Sequence, residues 1–233
     1  MKERTTRGPP GDEPARARAS GRRLDRALHA GVGAMLLLLA GPGWAEPSPF
    51  QAAWDAAEPI EALGRFLGAT VGRCAGLEGS AIRRCRADAD RARAEASGAV
   101  RALRVTRPRG LLGTPSFDPE RGRWRVRLTP IFSAEGLGLT VGRPLRLDRE
   151  GRPVVRTIDL WVDKPSGLPD FVFRRDVERG IVRLQVLVKL GEPWALKRRG
   201  RAPARGLSTR LVGYRLTHRS TVLGERLLGK RRR

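Results

Sequence analysis

The sequence predicts an α+β protein: an N-terminal helical hairpin followed by a mainly antiparallel β-sandwich or open barrel. Three observations carry this. Residues 50–105 repeat apolar and small side chains at helical spacing. From about residue 100 to 228 the period becomes two, with turn residues between the runs. Within that segment Ile181–Leu190, read IVRLQVLVKL, alternates cleanly. Val182, Leu184, Val186, Val188 and Leu190 face one way; Arg183, Gln185 and Lys189 face the other.

The N-terminal 45 residues stand apart from both segments. Residues 1–26 are polar and rich in Arg, Pro and Gly, a composition that does not bury a core. A short apolar run, Ala27–Ala40, follows and ends in Gly41-Pro42-Gly43-Trp44-Ala45. A basic leader, an apolar run and small residues at Gly43 and Ala45 predict a secretory signal peptide cleaved after Ala45. The alternative is an uncleaved membrane anchor over residues 27–45, for which the apolar run is short of the roughly 20 residues of a spanning helix. Arg22-Arg23 fits a twin-arginine signal poorly, and the long leader allows a start codon downstream of Met1.

Next comes the helical segment, residues 46–105. Pro59 suits a first helical turn. Ile60, Leu63, Leu67, Val71 and Cys74 recur at helical spacing, and Gly64, Gly68, Gly72 and Gly76 form a second stripe. Such a helix needs a close partner with small side chains, because each interior Gly costs about 1 kcal/mol relative to Ala. A second helix, capped by Ser80 and carrying Ala81, Cys85, Ala89, Ala92 and Ala96, supplies one. Arg84 with Asp88, Arg86 with Asp90 and Arg91 with Glu95 are spaced as outer ion pairs. The hairpin turns at Gly76–Gly79. Cys74 and Cys85 are the only cysteines, and in an exported chain they predict a disulfide across that turn. Their spacing fits neither C-x-x-C redox chemistry nor a metal site.

The β-domain, residues 106–228, is prepared by a strand at Arg101–Arg107. Ser116–Gly122 is a turn, and Arg123–Leu128 alternates Trp124, Val126 and Leu128 inward against Arg123, Arg125 and Arg127 outward. Leu137, Leu139 and Val141, then Leu145 and Leu147, continue the pattern up to a turn at Asp148–Gly151. Pro153–Asp163 is a long strand. Phe171–Phe173, a turn to Gly180 and Ile181–Leu190 form a hairpin. A Pro/Arg-rich loop over Gly191–Arg205 leads to the strand Leu207–His218 and a short one at Thr221–Leu223. About seven to nine strands suit a sandwich or an open barrel. The order of the strands is not encoded in this pattern. Residues 229–233 are a basic tail.

The apolar N-terminal run, the stretch Glu58–Leu67 followed by two cysteines, and the strand Arg125-Val126-Arg127-Leu128-Thr129-Pro130 resemble an uncharacterised family of exported bacterial proteins, a domain of unknown function. The resemblance implies an exported context and no known activity.

Charge is the strongest functional signal. The chain nets +23, and 42 of its 47 basic residues are arginine. Residues 46–105 are near neutral, whereas residues 106–233 hold 30 basic and 12 acidic residues. That field favours anionic partners. If the strand of Arg123, Arg125 and Arg127 neighbours that of Arg183 and Lys189, a basic sheet surface results. Its competing reading is the solvated polar face of an antiparallel sheet.

The best polar constellation is Asp159, Trp161 and Asp163, which project opposite Leu160 and Val162. Two carboxylates beside an indole suit a sugar held by stacking and hydrogen bonds, a cation held through oxygen ligands, or a glycosidase pair. The competing reading is a Trp covered by the helices and aspartates held by arginines. Ser-His-Asp chemistry would require His218 with Ser208 or Ser220, and His218 reads instead as a strand end facing solvent or a turn. No phosphate loop, nucleophile elbow or metal-ligand cluster is present in the sequence, so no catalytic residue, metal or cofactor is implied. The expected function is a non-enzymatic binding or interaction protein of the bacterial envelope. Its partner is an anionic polysaccharide, a lipid head group or another envelope protein. The alternative is a carbohydrate-active hydrolase using Asp159 and Asp163. Export removes nucleic acid from the expected partners; a third reading, a cytoplasmic protein bound to nucleic acid, requires that residues 1–45 are not a signal. Membrane contact would run only through uncleaved residues 27–45.

Overall fold

The computed structural model describes residues 46–142, 144–148, 153–198 and 201–229. The expected signal peptide, most of the turn after Asp148 and the basic tail from Lys230 lie outside them. The described residues form an α+β architecture whose main sheet does not close on itself.

The helices come mostly first. Helix α1, Pro49–Asp55, has Pro at its first turn, and the Ser48 hydroxyl accepts from the Gln51 N–H at 3.2 Å. Pro59 does not start a helix. Glu58–Pro59 is a short strand, β1, paired parallel with β2, Val100–Val105, at the end of the sheet. A residue before Pro is driven to extended backbone, and an edge strand tolerates the missing N–H. Helix α2, Leu63–Val71, starts four residues later, and helix α3 is Gly79–Ser97. Glu78, not Ser80, occupies the N-cap position of α3.

The glycine stripe does another job than the spacing suggested. Helix α2 ends at Gly72, whose φ of +79° stops it. Only Gly72 meets α3: a Cβ there would lie 3.1 Å from that of Ala89 and 2.8 Å from the Cys74 sulfur. Gly64 faces Glu135 and Gly68 faces Arg73. The Cys74–Cys85 disulfide joins the segment after α2 to α3, with Cα atoms 5.8 Å apart. Along α3, Arg91 pairs with Asp88 and Arg93 with Asp90, three apart rather than the expected four, and Arg93 also donates to the Thr70 carbonyl of α2 at 2.8 Å.

The remaining strands are β3 (Ser116–Asp118), β4 (Arg123–Leu128), β5 (Ile131–Ala134), β6 (Leu137–Val141), β7 (Arg146–Leu147), β8 (Pro153–Val154), β9 (Ile158–Val162), β10 (Val182–Arg198), β11 (Arg201–His218) and β12 (Thr221–Leu227). A seven-stranded mixed sheet runs β1-β2-β10-β11-β6-β5, with β12 added on β11. Its β11–β6 and β1–β2 pairings are parallel and the rest antiparallel. A three-stranded antiparallel sheet runs β3-β4-β9, and β7 pairs with β8. The expected long strand Pro153–Asp163 is thus two strands, β8 and β9.

Two readings of the C-terminal half are overturned. Phe171–Phe173 is not a strand but part of helix α4, Asp170–Glu178. Phe173 and Val177, four apart, are both fully buried on one helical face, while Phe171 is exposed. Gly180, at φ +70°, turns the chain into β10. The hairpin is instead β10–β11, and Gly191–Arg205 is mostly strand rather than loop. Shifts of register near Pro193 and Leu196 absorb residues that would break a regular ladder.

The core follows from the alternation. Leu184, Val186 and Val188 of β10 and Leu216 of β11 point to one side, fully buried. They join Leu103 of β2, Val126 and Leu128 of β4, Leu160 and Val162 of β9, Leu67 of α2, and Phe173 of α4 in one cluster. The two sheets are also linked by polar contacts. The Trp161 N–H donates to the Tyr214 hydroxyl at 3.0 Å, and the Asp163 N–H donates to the Leu223 carbonyl at 2.6 Å.

Candidate anion-binding surface

The other side of the large sheet carries the candidate site. Residues of β2, β10 and β11 that alternate with the core residues form rows across it: Arg104 opposite Gln185, Gln185 opposite Arg215, and Arg183 opposite Thr217. Helix α1 covers part of this side. Its Phe50 is buried against Ala102 and Leu187. The close approach requires Gly213, where a Cβ would meet the Arg226 carbonyl at 2.8 Å and the Phe50 ring at 3.4 Å.

Arg215 belongs to the anchoring of α1. Its guanidinium lies 4.7 Å from the Phe50 ring centre, donates to Glu225 at 2.6 Å and Ser48 at 3.0 Å, and also reaches Gln51. Arg104 lies 5.8 Å from the centre of the Trp54 ring. Beyond the helix the sheet is open.

There Arg104, Arg107, Arg183 and Arg219 line a concave region of about 830 Å3. Thr106, Gln185 and Thr217 are also in the lining, and none of its described residues is a carboxylate. Arg219 sits in the two-residue turn between β11 and β12 with φ of 55°, so the tight turn fixes where its backbone leaves the sheet. Among the described residues, none of the four arginines has an ion-pair partner. Planar guanidinium groups bind carboxylate or phosphate through paired, charge-assisted hydrogen bonds, and the hydroxyls and amide add neutral donors. The arrangement suits an anion with several oxygens.

Of the predicted anion-binding residues, Arg183 belongs to this concavity. Lys189 shares its side of β10 but lies beyond Leu187, opposite Val100 and Arg210. Arg123, Arg125 and Arg127 are in the other sheet, so the expected joint basic surface does not form. They face the acidic strand instead: Arg127 opposite Asp159, Arg125 opposite Trp161, and Arg123 bonded through two nitrogens to Asp163, both at 2.9 Å.

Asp159, Trp161 and Asp163 do share the outward side of β9, as their spacing requires, with Leu160 and Val162 fully buried behind them. The indole is covered by Arg121, 4.3 Å from its ring centre, and not by the helices. A sugar stacking there would first have to displace that guanidinium.

His218 is not a solvent-facing strand end. It is 6% exposed and pairs with Asp176 of α4, also 6% exposed, at 3.1 Å. Ser208 is ten residues away on the same strand, about 33 Å at the usual rise. Its hydroxyl donates to the Glu192 carbonyl at 2.8 Å. Ser220 is in the exposed β11–β12 turn. His218–Asp176 thus ties α4 to the sheet. Among the described residues, no three His, Cys, Asp or Glu side chains group as metal ligands would, and no helix is long and apolar enough to cross a membrane.

Arg104, Arg107 and Arg219 were not singled out from the sequence. The strand containing Arg104 was legible, but not that it lies beside the strand containing Arg183. In comparison with known proteins, the model of a family described as a family of unknown function (DUF6066) matches residues 25–230. No curated protein and no solved structure matches the chain.

Proposed function

We propose that this chain, which belongs to that family of unknown function, is a non-enzymatic binding protein of the bacterial cell envelope. The concavity of Arg104, Arg107, Arg183 and Arg219 holds an anionic group of its partner. The observation that carries the reading is four arginines lining one open concavity with no carboxylate among its described lining residues. Same-sign charge gathered in a hollow repels itself and is relieved by a bound anion.

The envelope placement rests on the signal-like residues 27–45 and on the Cys74–Cys85 bridge, a bond that persists in oxidising compartments. The partner is an anionic polysaccharide or lipid head group. The helices α2 and α3 act as a disulfide-tied hairpin on an open, mainly antiparallel sandwich whose outer sheet presents the arginines. The hydrolase reading gains nothing from the geometry, because Arg123 holds Asp163 and Arg121 covers Trp161.

The test is binding of the full chain to vesicles of phosphatidylglycerol, to vesicles of phosphatidylcholine and to an anionic polysaccharide, at rising salt. Binding to an anionic probe that weakens with ionic strength, and is absent on phosphatidylcholine, supports the reading. Equal affinity for neutral and anionic probes refutes it.

A further inference from the structure

A second cavity lies apart from the arginine concavity and has the opposite character. It encloses about 500 Å3 between the end of β6, the β7–β8 pair and the start of β9. Its walls are aliphatic: Ile131, Val141, Leu145, Val155 and Ile158, with prolines at 130 and 144. Among the described residues, its lining has no aromatic ring. Two arginines, Arg146 and Arg156, belong to the lining and are exposed, which puts their charge at its border with solvent. None of the described lining residues is a carboxylate.

Thr140, also in the lining, is 3% exposed, and its hydroxyl has no hydrogen-bond partner. A buried hydroxyl without a partner costs free energy, and it is a polar anchor for whatever enters. An apolar hollow of this size with a few polar groups at defined points is the ordinary form of a small-molecule site.

We infer that this cavity binds a free long-chain fatty acid, its aliphatic chain between Ile131, Val141, Val155 and Ile158 and its carboxylate on Arg146 and Arg156. Aliphatic walls without rings select a flexible hydrocarbon over a flat aromatic. Two cations, with no acidic side chain among the described lining residues, select an anionic head over an alcohol or amine. A volume of about 500 Å3 is in the range of sites that enclose most of a small ligand.

Two independent readouts follow. Each buried methylene adds about 0.8 kcal/mol, so lengthening the chain by two carbons should tighten binding on the order of tenfold until the cavity is full. Removing the carboxylate charge should weaken it about tenfold.

The experiment is calorimetric titration of the full chain with octanoate, decanoate, dodecanoate and dodecanol, below their micellar concentrations. The expected result is rising affinity along the carboxylate series and weaker binding of dodecanol. In Arg146→Ala/Arg156→Ala, dodecanoate should fall to the level of dodecanol. Val155→Trp, which puts a bulky indole into the cavity and narrows it, should weaken binding of all four. Should Val155→Trp fail to fold, the double arginine variant, whose side chains are exposed, carries the test alone. Arg123→Ala, whose side chain is held by Asp163 on the small sheet, should leave every affinity unchanged. A flat chain-length series, equal affinity for dodecanol and dodecanoate, or loss of binding in Arg183→Ala without loss in Arg146→Ala/Arg156→Ala would overturn the inference.

Discussion

Trp194 of β10 lies directly opposite Gly206 of β11, and its indole occupies the space that a side chain at 206 would need. A Cβ on Gly206 would come within 2.2 Å of the ring and 2.1 Å of the Gly138 carbonyl. Gly138 is itself opposite Gly206 on β6, with its own missing Cβ 3.0 Å from the indole. Two paired glycines therefore form a flat bed for one tryptophan. Gly206→Ala should destabilise the fold by about 1–3 kcal/mol, the usual range for overpacking. Gly138→Ala should cost less, since only side-chain atoms crowd it closely. Urea denaturation of the two variants checks the order, and a stability of Gly206→Ala equal to the parent would contradict the packing.

His218 and Asp176 form a buried pair, and Arg175 also reaches Asp176 Oδ1 at 3.4 Å, so removing Asp176 strands His218 whereas removing His218 leaves Asp176 its arginine. Asp176→Ala should cost roughly 3 kcal/mol and His218→Ala less. The double variant should lose clearly less than the two costs added, because only the first removal strands a polar group. Additive losses would show that the pair does not couple.

The Cys74–Cys85 bridge closes a loop with a sequence separation of 11. Cys74→Ser with Cys85→Ser should lower stability by about 3 kcal/mol on the chain-entropy estimate. A reductant should bring the parent protein to the same level. Identical melting with and without reductant would mean that the bridge contributes nothing.

Arg183→Ala with Arg219→Ala should reduce affinity for an anionic probe and flatten its dependence on salt, while melting temperature stays level. Arg123→Ala should leave that binding intact. Its pairing with Asp163 is exposed and contributes about 0–1 kcal/mol to stability. Loss of binding in Arg123→Ala alone would place the anion on the small sheet instead.

How far the sequence reached depended on whether a signal was local. Strand β4 was read to the residue, because Trp124, Val126 and Leu128 alternate with three arginines. The first half of β10 was equally plain. Phe171-Val172-Phe173 misled, since three apolar residues in a row satisfy a strand, and the helical pairing of Phe173 with Val177 spans two arginines and an aspartate. Pro193 and Gly191 looked like loop residues, yet a long hairpin accommodates them through shifts of register. For the site, Arg183 was legible as an outward residue. Its companions Arg104, Arg107 and Arg219 were not, because their meeting depends on which strands become neighbours.

The parallel pairing of β6 with β11 has a consequence for the order of assembly. Thr209 donates to the Thr140 carbonyl across a sequence separation of 69. All five residues of β6 end up buried, yet they are synthesised long before the strand that covers that edge. At translation speeds of about 5–20 residues per second, β6 waits on the order of several seconds with an open, apolar margin. Until β11 is made, the nascent chain carries an edge competent for pairing with other chains.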